Sequence, residues 1–136
     1  MIWETTISYV TIGSNGADKS VKEKYIINTN DDLFGGVENL LIEKFGTLTG
    51  FSICDIKHSK AKEIANKQIN SDDLVWRAEV QDTFVGEDGE EKHTKYIIVF
   101  FAQTFDTAKA FISEYLRQGY NLELVGLKLT KFIDVL

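Results

Sequence analysis

An α+β fold made of two tandem strand-strand-helix-strand repeats, about 1–65 and 74–136, is predicted by three features of the sequence. Its second half repeats its first: Tyr25-Ile26-Ile27 matches Tyr96-Ile97-Ile98, an offset of 71 residues that also pairs Phe34 with Phe105, Glu43 with Glu114, Lys57 with Lys128 and Glu63 with Asp134. Trp3 answers to Trp76 at an offset of 73, which places a two-residue length difference in the Gly-rich loop between Trp and Tyr. Apolar residues then alternate with polar ones in pairs of segments joined by Gly-rich turns, and each pair is followed by apolar residues at helical spacing. Two half-length copies would bury too little surface to fold alone. One domain, 1–136, follows: a mainly antiparallel sheet with two helices on one face and pseudo-two-fold symmetry.

Each element has its own signal. Trp3, Thr5, Ile7, Tyr9 and Thr11 alternate with Glu4, Thr6 and Ser8 from Ile2 to Ile12, the period-two mark of a strand. Gly13-Ser14-Asn15-Gly16 turns the chain and Val21 to Thr29 returns as the second strand. Asp31-Asp32 offers helix caps before Leu33, Val37, Leu40, Leu41 and Phe45, and Gly46 is a stop. Phe51 to Ser59 reads as a third strand and the polar segment from Lys60 to Asp73 as an extension and linker. The order then recurs. Val75 to Val85 and Thr94 to Phe101 flank the turn Gly86-Glu87-Asp88-Gly89, Thr104 or Asp106 caps a helix with Phe105, Ala108, Phe111, Ile112 and Tyr115 on one face, and Gly119 ends it. Leu122 to Lys131 is the last strand, and Phe132 to Leu136 an apolar tail. The segment Tyr96 to Phe101 is apolar on both faces, which predicts cover on both, the second from another subunit.

Composition narrows the function classes. Hydrophobic content of 43% with 26% charged residues is that of a folded globular chain. No apolar run approaches the ~20 residues of a membrane span, and Met1-Ile2-Trp3-Glu4 has no signal-peptide character, so a cytoplasmic protein without membrane contact is expected. A net charge of −6 opposes nucleic-acid binding, whose affinity comes from cations that replace phosphate counterions. The single Cys54, in an apolar strand, is expected to be a buried, inert thiol.

No catalytic constellation emerges, and the chain is expected not to be an enzyme and to need no cofactor. His58 and His93 lack partners of the kind that build nucleophilic triads or zinc sites, and read as solvated surface residues. Glu87-Asp88-Gly89-Glu90-Glu91 is a hairpin tip without the ligand spacing of a calcium loop. The one doubled cluster is basic: Lys57 and Lys60 with Lys128 and Lys131 at equivalent positions, a candidate anion site if Lys57 and Lys128 flank the pseudo-two-fold axis. The competing reading has these lysines guarding edge strands and pairing with Glu63 and Asp134. Trp3 and Trp76 read as core anchors of the hairpins.

The order Trp3, Lys22, Tyr25-Ile26-Ile27, Phe51-x-Ile53-x-x-Ile56-Lys57, Glu63-Ile64, Asp73-x-x-Trp76 and Ile133-Asp134-Val135 resembles an uncharacterised family of about this length from Bacteroides and their phages. That resemblance implies a cytoplasmic, phage-encoded protein and brings no activity. Three functional expectations follow: a non-enzymatic binding protein that forms a homo-oligomer; a phage anti-defence protein that sequesters a phosphorylated or cyclic nucleotide on Lys57, Lys60, Lys128 and Lys131; and a weak single-strand nucleic-acid binder that stacks bases on Tyr9, Tyr25 or Tyr96.

Overall fold

Two long antiparallel hairpins frame the structure. In the computed structural model, which describes residues 1–30 and 33–136, the elements run β1 (Ile2–Ile12), β2 (Asp18–Asn28), α1 (Phe34–Phe45), β3 (Ser52–His58), β4 (Ala61–Ile64), β5 (Leu74–Val85), β6 (Glu91–Ala102), α2 (Phe105–Leu116), β7 (Leu122–Leu129) and β8 (Phe132–Val135). The α+β class and the mainly antiparallel pairing agree with the sequence reading, but the strands divide between two four-stranded sheets, ordered β3-β1-β2-β8 and β4-β6-β5-β7. The two additional strands come from the segments read as linker and tail.

The chain forms two compact units, Met1–Ser59 with Phe132–Leu136, and Lys60–Lys131. Neither coincides with a sequence repeat, because each sheet is completed by a short strand from the other half of the chain. β8 pairs parallel with β2, and β4 parallel with β6, each with a register shift at the corresponding step. The pairing continues past both strands: Leu136 N–H donates to Ile26 O at 2.7 Å, and Ala65 N–H to Val99 O at 2.8 Å. Asn66 then acts as a surrogate rung, its Nδ2 donating to Phe101 O at 3.0 Å and its Oδ1 accepting from Phe101 N–H at 2.7 Å.

Strand register corrects the alignment of the repeats. Trp3 faces Ile27 and Trp76 faces Phe100, so the offset of 73 holds through both hairpins and the partner of Tyr25 is Ile98, not Tyr96. The turns have equal length and equal bonding: Gly13 N–H to Ala17 O with Gly16 N–H to Gly13 O, and Gly86 N–H to Glu90 O with Gly89 N–H to Gly86 O. Gly16 and Gly89 take positive φ (78° and 79°), which closes such a turn and favours glycine. The two-residue difference therefore lies between the second strand and the helix, since α1 starts six residues after Asn28 and α2 four after Phe101, the register equivalent of Asn28.

Helix boundaries follow local chemistry. α2 opens with a capping box in which Thr104 Oγ1 accepts from Thr107 N–H and Thr107 Oγ1 from Thr104 N–H, with Asp106 in the first turn. It ends at Leu116 with Arg117 as its C-cap, short of the expected Gly119. α1 begins behind Leu33, and Gly46 N–H closes it on Ile42 O; the proposed Asp31-Asp32 caps lie outside the described residues.

Each unit has its own core. Trp3, Ile7, Tyr25 and Ile27 of the first sheet meet Val37 and Leu41 of α1. Trp76, Ala78, Val80, Ile98 and Phe100 of the second meet Ala108, Ile112 and Leu116 of α2. Thr5 is buried at the position of Ala78 because its Oγ1 donates to Tyr25 O at 2.9 Å. On the other side of β6, Val99 and Phe101 are also buried in the single chain, so their cover does not wait for another subunit. Phe100, fully buried between sheet and helix, is the severest truncation site: Phe100→Ala should cost about 3–5 kcal/mol in urea unfolding, whereas a loss below about 1 kcal/mol would contradict this packing.

Candidate functional site

The basic residues singled out from the sequence do not share one strand or one partner. Lys57 lies on β3 in the first unit, exposed, with Nζ 4.0 Å from Asp55 Oδ2, an exposed contact worth little. Lys128 is exposed on β7 in the second unit, in register with Arg77. Lys60 and Lys131 are the residues at which the chain passes from one unit to the other. Cys54, expected inside, is exposed. A bulge explains it: Asp55 pairs with Thr6 and Ile53 with Ile7, so Cys54 is the extra residue, and Val125 is its counterpart where Gly126 pairs with Glu79 and Leu124 with Val80.

Two groupings recur in both units, at opposite ends of the helix-covered face. The first is a tyrosine–carboxylate cluster. In the first unit Tyr9 and Tyr25 both donate their hydroxyls to the Glu23 carboxylate, and Tyr25 packs against Phe45 of α1 at 4.8 Å. In the second, the positions of Tyr9 and Glu23 are held by Asp82 and Tyr96, so tyrosine and carboxylate have changed places. There Lys62 Nζ sits 4.3 Å from the Tyr96 ring centroid, and the Glu63 carboxylate of β4 lies near the Tyr115 phenol.

All four phenols hold their protons more tightly than a free tyrosine. For Tyr25 the cause is burial, then the Glu23 hydrogen bond, with a smaller push from Asp134; for Tyr9 it is the Glu23 bond first. Burial leads for Tyr96, followed by Asp82 and Glu63, and for Tyr115, followed by Glu63. Such phenols are donors at neutral pH rather than bases, so the clusters tie strands together. Tyr25 lies beneath α1 and its hydroxyl is engaged, which removes it as a base-stacking platform, while Tyr9 and Tyr96 are half-buried.

The second grouping is a rim of exposed apolar side chains around each tryptophan. Trp76 is buried, its Nε1–H donating to Ala102 O at 2.8 Å. Around it stand Leu74 (44% exposed), Phe105 (52%) and Leu129 (47%); Phe105 meets the indole edge-on at 6.1 Å and Leu129 is the register partner of Trp76. In the first unit the same positions carry Met1 (49% exposed), Phe34 (52%) and His58. His58, exposed as expected from the sequence, also stacks on Trp3 at 3.9 Å. Trp3 Nε1 is buried without a partner among the described residues. The sequence held the signal for these rims, since Phe34 and Phe105 match in the repeat, but helical spacing assigns Phe105 to the packed helix face.

Among the described residues no three His, Cys, Asp or Glu side chains converge as metal ligands, and no helix is long and apolar enough to cross a membrane.

The chain belongs to a family described as a domain of unknown function (DUF4494), whose model matches residues 1–136. No curated protein and no solved structure matches it.

Raised phenol pKa values have a definite consequence for stability. A tyrosine that titrates near 10 when unfolded and higher when folded contributes stability present below pH ~10 and lost as pH rises above it, because the unfolded state then releases protons the native state retains. Tyr25→Phe should therefore flatten the fall in melting temperature above pH 10 while lowering it at pH 7 through the lost hydrogen bond, by about 1 kcal/mol. An unchanged alkaline slope would contradict the bonding of Tyr25 to Glu23.

Proposed function

We propose that this member of the DUF4494 family is a non-enzymatic binding protein that self-associates through the apolar rims around its tryptophans. The observation that carries the reading is the rim of the second unit, Leu74, Phe105 and Leu129 half-exposed around Trp76, with Met1, Phe34 and the exposed His58 at the matching positions of the first unit. A lone exposed leucine needs no explanation, but contiguous apolar side chains backed by a rigid buried indole form the kind of patch that protein contacts use. A second copy brings the same surface, and apolar rims bury one another without leaving polar groups unpaired. The first unit's tyrosine–carboxylate cluster supports a binding rather than a proton-transfer role, because the Tyr9 and Tyr25 hydroxyls are both engaged with Glu23. The cytoplasm of a Bacteroides cell, with the gene carried by a phage, is the setting that the sequence resemblance suggests, and it forms part of this proposal.

Light scattering across a concentration series tests it. Self-association that weakens on Phe105→Glu or Leu129→Glu by about 30-fold, the loss of one contact hot spot of ~2 kcal/mol, is the expected result. A strict monomer at millimolar protein would defeat it. If a thermal-shift screen against cyclic and linear nucleotides then raised the melting temperature, and the shift vanished with Lys128→Glu, sequestration of a phosphorylated ligand would replace it.

A further inference from the structure

We infer that a second copy of this chain can supply the strand that completes the first unit, giving a dimer by exchange of β8. The first unit is discontinuous, Met1–Ser59 with Phe132–Leu136, whereas the second is the uninterrupted run Lys60–Lys131. The first sheet thus lacks its β2-side edge strand until a 132–136 segment docks, and nothing in the docking chemistry distinguishes the chain's own segment from that of another copy. The contacts are backbone rungs of β2 with β8, the bonds Leu136 N–H to Ile26 O and Asn28 N–H to Leu136 O, and the Leu136 side chain against the first core. All are available to a strand arriving in trans.

The hinge favours exchange. Thr130 is anchored to β5, its N–H and Oγ1–H both donating to Val75 O at 3.1 and 2.8 Å, while Phe132 is already in register with Lys24 of β2. Lys131 alone separates these two fixed points. Short hinges are where strand exchange arises, and the exchanged form recreates the rungs of β2 with β8. Intrachain closure prevails at low concentration, where the chain's own β8 has the higher effective concentration, and exchange grows as protein concentration rises.

The test uses the full chain in a Cys54→Ser background with Lys24→Cys and Ile133→Cys, two exposed positions on neighbouring rungs of β2 and β8, linked by a short bis-maleimide after incubation at millimolar protein. The expected result is a dimer that dissociates slowly on dilution and runs as a covalent dimer on a denaturing gel. No dimer under these conditions, or a dimer fraction linked only within chains, would overturn the exchange. Inserting Gly-Ser-Gly after Lys131 gives a second reading that keeps the native contacts: the dimer fraction should fall several-fold at unchanged circular dichroism, and an unchanged fraction would count against the hinge. Phe105→Glu, which strikes the rim, should leave this species in place; its disappearance in that variant would assign the dimer to the rim contact instead.

Discussion

The rest of this structure depends on one constraint, that each sheet must find a fourth strand outside its own repeat. A strand edge exposes a row of unpaired backbone groups, and buried ones cost more than they return unless bonded. β2 and β6 carry the most buried strand segments of their sheets, Tyr25-Ile26-Ile27 and Ile98 to Ala102, so their outer edges cannot be left to water. Four-residue strands arriving in parallel meet that need. The bonds Leu136 to Ile26 and Ala65 to Val99 stand at matching places in the two units and extend the pairing beyond the short strands themselves.

From this edge closure the placement of the polar groups follows. The returning strands bring Asp134 beside Tyr25 and Glu63 beside Tyr96 and Tyr115, so each strand, held by backbone rungs, sets a carboxylate among phenols. The interchange of Tyr9 and Glu23 with Asp82 and Tyr96 reverses which strand carries the acid; the first unit joins the two by a hydrogen bond, whereas in the second Asp82 acts on the Tyr96 phenol through its charge. The apolar rims at the opposite end of the face are alike in position too, yet one holds His58 where the other holds Leu129.

Much of the fold was legible because hairpins and helices rest on local chemistry. Alternation around Trp3 and Trp76, the Gly turns and the spacing of Val37 with Leu41 and Ala108 with Ile112 all report burial directly. β4 and β8 were not legible: four residues show no reliable period, and parallel pairing with a distant partner is a tertiary effect that propensity does not carry. The identity of Tyr25-Ile26-Ile27 with Tyr96-Ile97-Ile98 misled the alignment because both segments are apolar strands of similar composition, while the true correspondence is set by which residue faces which tryptophan. The apolar segment around Cys54 predicts it inside, while the bulge that turns it out to solvent is set by pairing with β1. The lysines were visible as a doubled cluster, but sequence spacing does not show that Lys60 and Lys131 occupy the passages between units.

Hydrogen exchange at single amides tests the central claim most directly. If the sheets are completed by strands from the opposite repeats, the amides of Leu136 and Ala65, which donate to Ile26 and Val99, should be protected to within about tenfold of the core amides of Ile27 and Phe100, a gap of ~1.4 kcal/mol. Exchange of Leu136 and Ala65 at the rate of an unstructured chain, with Ile27 and Phe100 still protected, would contradict the account.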